Sequence, residues 1–167
     1  MSGTANGTNG TSGTLPKWLK HAIRVLVALQ RLGLPIGTMR VLAVPGRKSG
    51  KLQVTPVSPL TVNGQDYVVG GKSDGDWVRN ARASGWGILA QGRRSRRVAL
   101  IELPVAERGA ILREFPRLVP GGVGFMRSLH GLPTDPAALP DAFAALGERA
   151  TVFRIEDAAR SCAIERE

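Results

Sequence analysis

The feature that most constrains this chain is the pair Asn63-Gly64, set between two short apolar runs, Val54 to Val62 and Asp66 to Gly70. A two-residue hairpin loop needs positive φ at both positions, which Asn and Gly adopt at the least steric cost, so the pair predicts antiparallel strands. Pro56 and Pro59 interrupt the first run and each removes a backbone donor, so that segment is expected to be an edge, a bulge or irregular. A third run, Met39 to Pro45, precedes them. Further on, Trp86 to Gln91 and Val98 to Leu103 flank Gly92-Arg93-Arg94-Ser95-Arg96-Arg97, which reads as a second hairpin with an arginine-rich bend. Ala150 to Ile155 reads as a last strand. Pairing by hairpins in a chain that also carries helices predicts an α+β fold, mostly antiparallel, closing toward a barrel with peripheral helices.

The helices are placed by periodicity and by punctuation. From 15 to 34 the polar residues Lys17, Lys20, His21, Arg24 and Arg31 recur at helical spacing among Trp18, Leu19, Ile23, Leu26 and Val27, giving a basic amphipathic helix. Its apolar side is expected to pack on the barrel, with a membrane surface or a second copy of the chain as the alternatives. Ser73 or Asp74 is expected to cap a short helix through Ala83 that Gly85 ends. Val105 to Phe115 reads as a helix ended by Pro116, and Ala137 to Leu146 as one stopped at Gly147. The Gly- and Pro-rich stretch from Pro120 to Pro136 reads as a long loop or broken helix, and loops of that length commonly carry function.

A length of 167 residues suffices for one core, here assigned to residues 35–160. Residues 1–14 contain only Met, Ser, Gly, Thr, Ala and Asn and read as a disordered tail without the pattern of a secretory signal; residues 161–167 form a C-terminal tail. The single cysteine, Cys162, rules out an internal disulfide and a cysteine-rich zinc site, and fits a reducing compartment. No apolar run is long enough to cross a bilayer, so the expected location is cytoplasmic, soluble or peripheral at the inner membrane face. A formal net charge of +10 points to an anionic partner. Nucleic acid ranks last among such partners, because aromatics are 5% of the chain and Tyr67 is the one tyrosine.

Gly46-Arg47-Lys48-Ser49-Gly50-Lys51 follows a strand directly and holds two glycines, a hydroxyl and three cations. Glycines let backbone amides converge on an oxyanion, arginine can grip it bidentately, and lysine adds a point charge. The alternative is a solvated charged turn. It is not a Walker A loop, since the glycines stand one residue too close and Leu52 occupies the hydroxyl position. His130 could protonate a reduced product or lie exposed in its loop. Cys162 reads as structural or incidental. Arg93, Arg94, Arg96 and Arg97 read as a solvated bend that could also meet an anionic tail or acidic lipid.

In chain order, Val44-Pro45, Gly46 to Gly50, Thr55-Pro56, Gly70-Gly71-Lys72-Ser73, and Trp77-Val78-Arg79-Asn80 with Ala81-Arg82-Ala83 resemble the deazaflavin-dependent nitroreductase and quinone-reductase family. The likeness spans residues 39 to 103, and the strand Thr151 to Ile155 also fits. The resemblance implies a split β-barrel of the FMN-binding kind and coenzyme F420, a deazaflavin joined through a phosphodiester to an oligoglutamate tail, with FMN in second place. It places Arg47, Lys48, Ser49 and Gly50 on the phosphate and tail, Thr55 and Pro56 beside the ring, and Lys72, Ser73, Trp77 and Asn80 around the pocket. The activity it implies is hydride transfer from reduced F420 to a quinone, nitroaromatic or other conjugated, electron-poor acceptor; the alternative is a barrel that binds deazaflavin, flavin or lipid without turnover. A homodimer is a further expectation. Two departures stand out. Lys72-Ser73-Asp74-Gly75-Asp76 is shorter than the family's segment before the tryptophan, leaving open which of Lys72 and Ser73 takes the family position. Gly121, Gly122, Gly124, Phe125, Met126, Ser128 and His130 stand where nitro-reducing members carry tyrosines, which weighs against nitroimidazole reduction.

Overall fold

The computed structural model describes residues 17, 24, 39–91 and 94–158. Lys17 and Arg24 are helical and exposed; the rest of the 15–34 segment, both terminal tails and Cys162 lie outside the described residues. Seven strands and four α-helices are described: β1 (Arg40–Pro45), β2 (Leu52–Val57), β3 (Leu60–Val62), β4 (Gln65–Gly70), α1 (Asp76–Ser84), β5 (Trp86–Gln91), β6 (Arg94–Glu102), α2 (Val105–Leu118), α3 (Val123–His130), α4 (Leu139–Ala144) and β7 (Thr151–Asp157). Short 3-10 turns at Pro120–Gly122, Pro136–Ala138 and Ala145–Glu148 join the later helices. All strands belong to one sheet in the order β2-β1-β5-β6-β7-β4-β3, and each neighbouring pair is antiparallel. The fold is α+β, an antiparallel split barrel left open between its two edge strands, β2 and β3.

The Asn63-Gly64 hairpin is present, with Val62 opposite Gln65 and both loop residues at positive φ, 51° and 76°. The run Val54 to Val62 is not one strand but two, broken at Ser58-Pro59. Pro56 stays inside β2, which is tolerated because β2 is an edge, where a missing N–H can face away from the ladder. The arginine-rich bend is also different from its reading. β6 begins at Arg94, and Arg94, Ser95, Arg96 and Arg97 pair with Gln91, Ala90, Leu89 and Ile88. The long aliphatic stems of arginine suit a strand as well as a bend.

Two helix ends depart from the sequence expectation. Neither Ser73 nor Asp74 caps α1; Gly75 stands at the N-cap, without a side-chain cap, and its carbonyl accepts from the Arg79 N–H at 2.9 Å. Gly85 closes the helix as expected, at φ 70°. Helix α2 runs on through Pro116 to Leu118. The cost of the lost hydrogen bond at Pro116 is offset by packing, since Phe115 is buried and its ring stacks on Phe143 at 5.2 Å. The stretch 120–136 takes the broken-helix form, a 3-10 turn followed by α3.

Strand alternation divides the apolar residues between two cores. Leu42, Val68, Val98, Leu100, Phe153 and Ile155 fill the barrel, against Val78 and Ala81 of α1. Val152 and Leu60, on the opposite face of the sheet, pack with Leu112, Phe115, Met126 and Phe143 from α2, α3 and α4. Thus α1 covers one end of the barrel, and α3 lies over the end of β4.

Candidate functional site

The turn after β1 is built by its glycines. Gly50 sits at φ 69°, where a side chain would be strained, and its N–H reaches the Gly46 carbonyl at 2.7 Å. A Cβ on Gly46 would meet the Ser49 Oγ at 3.0 Å and the Lys51 carbonyl at 3.3 Å. The Ser49 hydroxyl accepts from the Lys51 N–H at 3.3 Å, which leaves its own proton available to donate. Lys48 and Lys51 are exposed, and their ammonium groups make no hydrogen bond or ion pair among the described residues.

Arg47 points a different way. Its backbone N–H and its Nη1 both donate to the Asn80 Oδ1, at 3.1 and 2.9 Å, and its Nη2 meets the Asp76 Oδ1 at 3.2 Å. Asn80 is buried at 5% exposure, so Arg47 and Asn80 together fasten the turn to α1. The site's remaining strong ionic tie is structural. Glu102, at the end of β6, accepts from Arg82 of α1 at 2.7 and 2.8 Å and from the buried Arg108 of α2 at 3.0 Å. The hydrogen bond from Arg82 holds the Glu102 carboxyl below its usual range, against the opposing effect of burial.

Past α1 opens a cleft of about 540 Å³, within the size range of small-molecule sites. Thr55, Pro56 and Val57 of β2 form one wall, Val69, Gly71 and Lys72 at the end of β4 another, and Trp77 of α1 a third. Phe125, Met126 and Leu129 of α3 close it, with Gly121 and Gly122 beneath. Gly71 makes this closure possible, because a Cβ there would lie 2.9 Å from Leu129 Cδ2 and 3.2 Å from Met126 Sδ. The His130 Nε2 lies 2.7 Å from the Gly71 carbonyl. A carbonyl only accepts, so Nε2 carries the proton, and the histidine ties α3 to β4. Phe125, 67% exposed, stands at the opening.

Of the residues singled out in the sequence, Thr55, Pro56, Lys72 and Trp77 therefore meet in one cleft. Arg47, Lys48, Ser49 and Gly50 lie together in the neighbouring turn that leads into β2, five to eight residues before Thr55. With about 3.3 Å per residue, Lys51 and Thr55 are separated by roughly 13 Å. Ser73 and Asn80 do not line the cleft: Asn80 faces Arg47, and the Ser73 N–H donates to the Arg149 carbonyl at 3.3 Å. Met39, Val69, Val119 and Leu129 were not singled out by sequence, since apolar residues in a wall look like core residues until the chain is folded.

No protein-family model matches this chain, and no curated protein matches it. Solved structures of similar shape include an F420-H2 dependent reductase, FDR-A, at 18% identity over 72% of this chain and 95% of that one, with a TM-score of 0.49. PhzG from Burkholderia lata 383, in complex with tetrahydrophenazine-1-carboxylic acid, is 16% identical over 87% of this chain and 82% of its own, with a TM-score of 0.47. A pyridoxamine 5'-phosphate oxidase-related, FMN-binding protein from Nostoc punctiforme PCC 73102 is 13% identical over 87% and 83%, with a TM-score of 0.46. An F420-H2 dependent reductase and an FMN-binding protein thus both stand among the structural neighbours.

Proposed function

We propose that this chain is an F420H2-dependent reductase that passes a hydride to a quinone or another conjugated, electron-poor acceptor. The observation that carries the reading is the juxtaposition of an apolar cleft with a cationic, glycine-built turn on the same hairpin. A molecule with a flat ring at one end and a phosphodiester and carboxylates further along has chemistry suited to both. The donor set fits such a group: Lys48, Ser49 and Lys51 present donors at the turn, and the Gly46 cradle is too tight for a side chain. Lys72 is the one cation lining the cleft among the described residues.

Bound there, reduced F420 would supply the hydride. The chain's own part is to hold, orient and dry the site. Lys48 and Lys51 would meet the anionic tail, with Arg47 positioning the turn through Asn80 and Asp76 rather than offering a free guanidinium. Pro56, Val69 and Trp77 would exclude water from the ring, and Thr55 and Lys72 would fix its orientation. His130 acts through α3, its Nε2 proton being held by Gly71.

The test is a fluorescence titration with F420, run beside FMN, on the wild type and on the Arg47→Ala, Lys48→Ala double variant, followed by oxidation of F420H2 with menadione as acceptor. F420 binding that is tighter than FMN and lost in the double variant, with menadione-dependent oxidation, is the expected result. Absence of F420 binding to the wild type sinks the cofactor assignment. Binding without oxidation by menadione or any other quinone reduces the reading to a carrier.

A further inference from the structure

The two cores leave one face of the sheet without a cover. In β1, Leu42 and Val44 belong to the barrel core, and in β5 so does Leu89. By strand alternation their neighbours Val41, Ala43 and Ala90 lie on the outer face. Water on that face would leave them open. Yet Val41 is 5%, Ala43 0% and Ala90 2% exposed. Their cross-strand neighbours do not roof them: Ala90 stands between Val41 and Ser95, and Ala43 between Val54 and Ile88. Side chains that stand beside one another on a pleated face cover each other's flanks and leave the tops bare.

The described helices lie elsewhere. α1 approaches β1 and β5 from inside the barrel, through Val78 and Ala81. α2, α3 and α4 pack over Val152 and Leu60, on the other half of the sheet. Neither core includes Val41, Ala43 or Ala90. Their burial is complete within a single chain, so the cover belongs to this chain and not to a partner. It thins out at β6, where Ala99 is half-buried and Ile101 is 37% exposed.

We propose that the outer face of β1 and β5 is the seat of the basic amphipathic segment, residues 15–34. Composition selects it among the stretches outside the described residues. Residues 15–34 hold six leucines with Ile23, Val25 and Val27, whereas residues 159–167 hold one large aliphatic side chain, Ile164, and residues 2–14 hold none. Orientation agrees. Lys17 and Arg24 are helical and exposed, and seven residues are nearly two turns, so both mark one side of the helix and that side meets water. At helical spacing Leu19, Ala22 and Leu26 fall on the opposite side, the one free to cover the sheet. Reach agrees as well. Five residues link Leu34 to Arg40 at the start of β1, enough to span roughly 20 Å and turn the segment back over the strand it feeds. A second copy or a lipid surface, the other claims on this apolar side, would leave Val41, Ala43 and Ala90 open in the single chain. The inference is independent of the F420 reading, because it rests on no residue of the cleft wall or of the cationic turn.

The experiment puts a nitroxide on the solvent side of the segment, at Arg24→Cys in a Cys162→Ser background of the full chain, and follows methyl signals by NMR. We expect the Val41, Ala43 and Ala90 methyls to lose most of their intensity, and those of Leu112 and Leu146, in the other core, to stay sharp. When the nitroxide-bearing chain, without isotopes, is mixed with isotope-labelled chain that carries no nitroxide, the Val41, Ala43 and Ala90 signals should persist. A second measurement needs no label: Leu26→Ala should shift the Ala43 and Ala90 methyl resonances, and Lys17→Ala should not. Sharp Val41, Ala43 and Ala90 methyls in the nitroxide-bearing chain would overturn the proposal, as would an equal response to Leu26→Ala and Lys17→Ala. So would loss of the signals in the mixed sample, which would transfer the face to the segment of a second copy.

Discussion

Two neighbouring cavities are made by opposite means. The cleft exists because side chains are missing: Gly71 lets α3 approach β4, and Gly70 beside it admits Val78, whose Cγ2 would lie 2.5 Å from a Cβ. A larger groove of about 920 Å³, lined by Arg40, Leu89, Arg94 and Arg96 among others, exists because side chains are long, with arginines carried past the end of the apolar core by strands that keep their register. The first kind of site is set by local backbone chemistry, and the second by which residues of distant strands fall on one face. Substitutions should separate them accordingly.

The largest expected effect is that of Gly71→Val. Its branched side chain meets Leu129 and Met126 at distances no side chain normally occupies, so overpacking should cost about 1–3 kcal/mol in urea unfolding. F420 binding should fall with it; unchanged F420 affinity in a variant this destabilised would separate the cleft from the cofactor site. Lys48→Ala comes next, with a fall of about tenfold in F420 affinity, no change in Tm and a weaker dependence on salt. A smaller cost, up to about 1 kcal/mol in urea unfolding, is expected of Arg96→Gln, whose ion pairs are half exposed; here F420 affinity should not change. The smallest effect is a change in shape of the pH profile. Because Arg82 lowers the Glu102 carboxyl in the folded protein, that tie stabilises above the unfolded glutamate value, near about 4.3, and is lost as pH falls through the lower folded value. Stability curves of the wild type and Glu102→Gln should therefore differ at neutral pH and converge in acid, with F420 affinity the same in both at pH 7.

What could be read from the sequence followed the same division. Asn63-Gly64, the edge position of Pro56, the Gly85 stop and the turn from Gly46 to Lys51 each depend on a few adjacent residues, and each was legible. Thr55, Pro56, Lys72 and Trp77 line one cleft, drawn from β2, the end of β4 and α1. The break at Ser58-Pro59 and the passage of α2 through Pro116 were not legible, because packing of Phe115 and the bend of an edge decide them. Arg93 to Arg97 looked like a polar bend because four charges in five residues rarely signal a strand; only the pairing with β5 shows that Arg94 and Arg96 share the inward face. Asn80 was read as part of a pocket, and its actual contact, Arg47, lies 33 residues away in the chain.

The place of β7 has a consequence for how the protein is made. Thr151–Asp157 comes last among the described strands, yet it lies between β6 and β4 and joins β2-β1-β5-β6 to β4-β3. Both cavities draw residues from each of those two parts. On the ribosome, neither can take its final form until β7 has emerged, so ligand capture must follow synthesis of the chain through Asp157. Until then the facing sides of β6 and β4 are exposed strand edges, the kind that invite pairing with other nascent chains. A truncation before Thr151 would leave them so permanently, and such a product is expected to aggregate rather than bind weakly.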